Sequence, residues 1–280
     1  MDQPVSSPPQ PFTDDVFEQL HVAAAQGGLT KRLFAQAFGD EYPAEVDPTS
    51  SCTWSVLGEM VKMLRLRPND LLVDLGCGRG GTGLWLARAF RARLIGVDSS
   101  PKGIELAIER IPEFFPALDT GDPGDPGDPG AGRIRFQLGT FEDTGLPDAC
   151  AAGVVSLDAL PFTPDRDVAL RELRRILKPG ARAVFTGGEK LPGHPKYKPG
   201  EPTWEERLAS AGLELEAKAE RPEEAGLWSR LHDLWEAHED ELRREYGDVD
   251  TDNKMAEART LRPIRPFRTA ALYTARAPLA

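Results

Sequence analysis

Apolar positions along this chain switch between a two-residue and a helical period, and the switch points mark the elements. Leu71, Leu72, Val73 and Leu75 form a short apolar run between Asn69-Asp70 and a glycine cluster, the pattern of a strand buried on both faces. The glycines force a tight turn, and Thr82 to Arg88 predicts a helix straight after it. A second apolar run, Leu94 to Asp98, ends on an acid. Ser99-Ser100-Pro101 then caps a helix whose Ile104, Ala107, Ile108 and Ile111 are expected to face the sheet. Arg133 to Leu138 alternates as a third strand, and Ala151 to Leu160 reads as a fourth, ending near Asp158. Ala169, Leu173, Ile176 and Leu177 line a further helix, which Lys178-Pro179-Gly180 stops before a fifth strand. Thr203 to Ala217 predicts a helix, a glycine and a sixth strand, and Arg268 to Ala275 the last.

Two helical regions stand outside this alternation. Ahead of the first strand, Val16, Leu20, Ala23 and Ala24 fall at helical spacing, and Lys31 to Phe38 predicts a short helix ending at Gly39. Leu57, Met60, Val61 and Leu64 then make an i, i+3, i+4, i+7 stripe. Between the sixth and last strands, Leu227 to Tyr246 predicts one helix with Trp228, Leu231, Trp235, His238 and Leu242 on one face and the Glu239 to Glu245 charge run on its solvated side. Residues 1–13, rich in Pro and Ser, are expected to be disordered. The tandem Asp-Pro-Gly units between Thr120 and Gly132 predict a mobile, dispensable surface loop.

Composition narrows the setting. The 280 residues, 40% hydrophobic and 28% charged, suffice for one large domain with a sizeable core. No run approaches the roughly 18 apolar residues that span a bilayer, and no apolar leader segment follows the start. Cys52, Cys77 and Cys150 are scattered, without metal or disulfide spacing, which points to a reducing cytoplasm. A net charge of −11 argues against nucleic acid or an anionic membrane as partner.

Gly76-Cys77-Gly78-Arg79-Gly80-Gly81 satisfies the G-x-G-x-x-G pattern of dinucleotide-binding proteins. Asp74 changes that picture: a carboxylate two residues before the first glycine would repel a pyrophosphate and suit a ligand carrying an ammonium group. With Asp98 ending the next strand, V-D-L-G-C-G-R-G resembles the first motif of class I S-adenosylmethionine (SAM)-dependent methyltransferases. R-E-L-R-R-I-L-K-P-G-A-R-A-V-F-T resembles that family's helix-turn-strand after the fourth strand. The resemblance covers residues 56–190.

It implies an α/β, doubly wound, mainly parallel seven-stranded sheet of order 3-2-1-4-5-7-6. It also implies division into a tail over 1–13, an N-terminal helical lid segment over 14–66, and a SAM-binding core over 67–280 with a lid insertion at 226–262. Cofactor contacts would come from Asp74, Gly76, Cys77, Gly78, Gly80, Asp98 (to the ribose hydroxyls), Ser99, Thr140, Phe141, Glu142 and Asp158. The family often holds an acid where Thr140 stands, so Glu142, Asp143 or backbone near Phe141 would receive the adenine amino group instead. Tyr42, Trp54, Trp228 and Trp235 are candidates for acceptor binding, and the stripe bearing Trp235 is expected to roof the acceptor. No short motif names a general base and no metal cluster appears; His194 and His238 are the leading candidates for a base, ahead of His232 and Tyr42. The implied function is methyl transfer from SAM to a small molecule of secondary metabolism. Three readings share the core pattern: a methyltransferase acting on a quinone, protein or RNA, an NAD-dependent dehydrogenase, and a SAM-binding homologue that transfers no methyl.

Overall fold

The computed structural model describes residue 21, residues 28–116 and residues 133–279. The expected tail, the Val16 to Ala24 helix apart from His21, and the Asp-Pro-Gly repeat lie outside the described residues. Seven strands form one sheet: β1 (Leu71–Leu75), β2 (Arg93–Asp98), β3 (Ile134–Leu138), β4 (Ala151–Ser156), β5 (Leu177–Gly187), β6 (Glu214–Glu220) and β7 (Ala271–Arg276). Their order is β3-β2-β1-β4-β5-β7-β6, as expected, with β7 antiparallel to both of its neighbours and the others parallel.

Every residue of β1 is buried, because helices cover both faces of the sheet. Leu71, Val73 and Leu75 enter one apolar cluster with α6 (Arg166–Ile176) and α7 (Trp204–Ser210). Leu72 enters the opposite cluster with α2 (Trp54–Leu64), α3 (Gly81–Phe90) and α4 (Pro101–Glu109). This is the two-residue alternation of a strand. Asp74 shares the parity of Leu72, so a carboxylate is inserted into the layer beneath α3.

Three expectations shift in register. Ile108 is 47% exposed and Leu106 is buried in its place. Arg110 ends α4, and Ile111 opens α5 (Ile111–Phe114), because the ring of Pro112 cannot continue a helix interior. The last strand starts at Ala271; Arg268 forms only an isolated bridge to Lys190.

A third apolar cluster stands apart from the sheet. α1 (Gly28–Phe38) supplies Leu33, Phe34 and Phe38 to it. In place of one helix over 227–246, the chain forms α8 (Glu224–Ala237) and α9 (Glu239–Leu261), the latter interrupted by a kink at Gly247 (φ 79°, ψ 178°); they supply Leu231, Trp235, Leu242 and Met255 to the cluster. The break falls at His238 (φ −114°, ψ 22°). Long-range caps join the three helices: the Leu29 and Thr30 amides of α1 donate to Glu245 Oε1 (3.0 Å) and Tyr246 Oη (2.9 Å), and Arg230 Nε donates to the Ala37 carbonyl (2.8 Å). α2, grouped with the lid by sequence, packs on the sheet instead. Among the described residues no helix is long and apolar enough to cross a membrane.

Candidate functional site

The glycine turn is held from two sides. The Gly76 and Cys77 amides donate to the Val97 carbonyl at the end of β2 (2.8 and 3.2 Å). The Gly78 amide donates to Asp98 Oδ2 (2.7 Å), and the Ser100 amide to Asp98 Oδ1 (2.9 Å). Ser100 Oγ accepts the Gly103 amide (2.9 Å) and caps α4. Asp98 thus pins the turn to the start of α4 while remaining half-buried at the sheet edge. Gly76 (φ 71°) and Gly78 (φ 50°) occupy the left-handed region that favours glycine. A Cβ on Gly76 would stand 2.4 Å from Ala159 Cβ and 2.9 Å from Phe141 Cζ, so the loops after β3 and β4 close directly on the turn.

Asp74 lies under this turn. It is 2% exposed, and an added Cβ on Gly83 would be 2.6 Å from its Oδ2. Burial, with the charge of Asp98 adding to it, pushes its carboxyl up to about 7, against a hydrogen bond from the Gly83 backbone. Burial likewise pushes the Cys52 thiol up to about 12 and raises that of Cys77, so neither is poised as a nucleophile. The turn and the half-buried Asp98 thus stand at the carboxyl ends of β1 and β2, the edge at which open α/β sheets bind ligands.

Residues 73–185, which include this turn, match the family described as a methyltransferase domain. Over these residues the chain is similar to methyltransferase domains. It is similar to 27-O-demethylrifamycin SV methyltransferase of Amycolatopsis mediterranei, at 29% identity over 62% of this chain and 52% of that one. The chain spans about half the length of the curated relatives it matches. Two solved structures share the fold. The [4+2]-cyclase SpnF aligns with TM-score 0.67 and 18% identity over 96% of this chain and 97% of that one. Phosphoethanolamine N-methyltransferase 2 of Haemonchus contortus, solved with SAM, aligns with TM-score 0.66 and 15% identity over 96% and 58%.

Within the matched residues, the remaining expected contacts are unevenly placed. Ser99 is exposed beside Asp98, and Thr140 is exposed in a turn with Asp143, whose amide donates to its Oγ1 (3.1 Å). The Glu142 carboxylate is engaged by the Thr163 hydroxyl and the Asp165 amide at the start of α6. Asp158 holds a strained left-handed backbone (φ 52°) just past β4. Its carboxylate receives the Ser51 amide (2.6 Å) and the Thr186 hydroxyl (2.9 Å), and Ser51 in turn accepts both terminal nitrogens of buried Arg221. Sequence reading missed Ser51, Thr186 and Arg221. This chain of bonds ties the end of β4 to β5 and to the segment leading into α8.

The acceptor and base candidates lie elsewhere. Tyr42 is buried beside Phe34 and Phe38; its hydroxyl donates to Asp47 (2.7 Å), and burial, then Asp47, raises its pKa. Trp54 packs edge-on against Trp85 at the surface. Trp235 is 3% exposed within the third apolar cluster, whereas Trp228 is half-buried under the Arg265 guanidinium (4.8 Å). His194 Nδ1 accepts the Lys196 amide (3.0 Å) in a loop after β5, and burial and Lys190 lower its pKa. His238 pairs with Glu241 (2.9 Å) at the break between α8 and α9. His232 is fully buried between Trp228 and Trp235.

Proposed function

We propose that the chain transfers the methyl group of SAM to a small-molecule acceptor of the secondary-metabolite kind. The observation that carries this reading is the Asp98 carboxylate, fixed by two backbone amides at the rim of the glycine turn. In this reading Asp98 receives the ribose hydroxyls, and Gly76, Cys77, Gly78 and Gly80 present backbone to the methionine part. Ser99, Thr140 and Phe141 border the adenine, and Asp158 sets the far edge near the acceptor. When bound, SAM supplies an electrophilic methyl on a sulfonium.

The chain's own work is then positioning and exclusion of water, which suits an in-line displacement. A base is needed only where the acceptor must lose a proton. The Arg221-Ser51-Asp158 connection holds the segment before α2 and the start of α8 against the strand ends, where an acceptor would enter. The 27-O-demethylrifamycin SV methyltransferase relative supports an oxygen acceptor on a large natural product. A second reading, SAM binding without methyl transfer, is favoured by the near-complete alignment with a cyclase.

Turnover with methyl-labelled SAM and a panel of hydroxylated small molecules separates the two. Label should appear in product together with S-adenosylhomocysteine (SAH). Asp98→Ala should weaken SAM binding by about 1.5–3 kcal/mol, about 10- to 150-fold. Product formed without SAH would select the second reading, and unchanged SAM affinity in the variant would remove Asp98 from the site.

A further inference from the structure

We propose that Arg110 is a positioning residue for the cofactor: it staples a strap, residues 45–47, to the glycine turn and so holds the turn ready for the nucleoside. This rests on the SAM reading of the site. Arg110 stands at the joint between α4 and α5 and is 9% exposed. Its Nη1 donates to the Val46 carbonyl (3.1 Å) and to the Arg79 carbonyl (3.5 Å), and its Nη2 to the Glu45 carbonyl (3.1 Å). Nε donates to Glu113 (3.1 Å). Arg79, inside the turn, donates from Nη2 to the Asp47 carbonyl (2.8 Å). Three consecutive strap carbonyls are thus taken by two arginines, one of which belongs to the turn. The strap presents them because its amides fold back on themselves: those of Val46 and Asp47 both donate to the Pro43 carbonyl (2.9 and 3.1 Å).

Gly81 gives the staple independent support. A Cβ there would stand 2.1 Å from the Val46 oxygen and 2.9 Å from Arg110 Nη1. Gly81 opens α3 with helical backbone, so space and not conformation calls for glycine, and the last glycine of the G-x-G-x-x-G pattern is the seat of the strap. The turn needs holding because Gly76, Gly78 and Gly80 all take left-handed φ (71°, 50° and 75°), and glycine loses more freedom on ordering than any other residue. Asp98 fixes the turn on one side through the Gly78 amide. The strap fixes it on the other, at Arg79 and Gly81. Order already present in the free protein need not be imposed by the ligand, which raises affinity without a direct contact.

The test is calorimetric titration of the full chain with SAH and with methylthioadenosine, joined to hydrogen exchange of the ligand-free protein. Arg110→Gln should weaken both ligands by about tenfold, the order of one residue's backbone ordering. It should also speed exchange at the amides of residues 76–80. Arg110→Lys, which keeps the charge and a donor, should recover part of the affinity. Gly81→Ala, which lifts the strap while leaving Arg110 in place, should reproduce the loss and serves where the arginine variant folds poorly. SAH affinity unchanged in Arg110→Gln and Gly81→Ala, or turn amides exchanging as slowly as in the unaltered protein, would overturn the staple. Failure of the unaltered protein to bind either ligand would instead overturn the cofactor reading and this inference with it.

Discussion

Replacing Asp74 with asparagine is expected to stabilise the ligand-free protein at neutral pH and to flatten its dependence of stability on pH. The strand period places this carboxyl in the apolar layer beneath α3, 2% exposed, with Oδ2 lacking a hydrogen-bond partner among the described residues. Its pKa rises from 3.8 to about 7 on folding. Below the unfolded value both states are protonated and the site costs nothing. Between the two values the unfolded chain ionises while the folded chain stays neutral, so stability falls as pH rises. Above about 7 the folded protein carries the buried charge and the deficit is constant. The full difference is on the order of 4 kcal/mol, at about 1.4 kcal/mol per pH unit. Asparagine resembles the neutral acid and has no such titration. Denaturant unfolding from about pH 4 to about pH 8 should show the advantage of Asp74→Asn growing with pH and levelling near neutrality. A constant difference across that range would contradict the burial argument.

Trp235→Ala is expected to cost about 3–5 kcal/mol of stability, the usual range for emptying a large aromatic from a core. Its indole is nearly inaccessible, 5.4 Å from the His232 ring and with Lys254 Nζ 5.9 Å from its centroid. These neighbours belong to α8 and α9, so the ring supports the third cluster from inside. Because that cluster is separate from the two sheet clusters, the loss should be regional. Hydrogen exchange should accelerate in α1, α8 and α9 and stay slow in β1, β4 and β5, with SAH affinity close to that of the unaltered protein. Faster exchange throughout the sheet would show that the helical cluster and the sheet unfold as one unit.

The core was legible because its signals are local. β1, the glycine turn, α3 and β2 follow one another within Leu71 to Asp98, and each announces itself by period or by glycine. The strand order came from the family resemblance, since periodicity carries no information on which strands pair. The α8–α9 break was hidden because helix-forming residues run through His238 on both sides, and only tertiary contacts single that position out. Ile108 and Leu106 exchanged roles because both fit an apolar face of a short helix. At the site, Asp98 could be read from its strand end, but the partners of Asp158 could not. Ser51 lies 107 positions away from Asp158, and Arg221 is 170 away from Ser51. Pairs this distant leave no pattern in a single sequence. Tyr42 illustrates the converse: an aromatic in a turn-rich segment drew an acceptor role, yet its phenol is bonded to Asp47, five residues on.

Titration of the purified chain with SAH, followed by competition with SAM and with NADH, tests the central claim most directly. The Asp98 clamp and the glycine turn predict saturable one-to-one binding of SAH, displaced by SAM and indifferent to NADH. Binding of NADH in place of SAH would contradict the account.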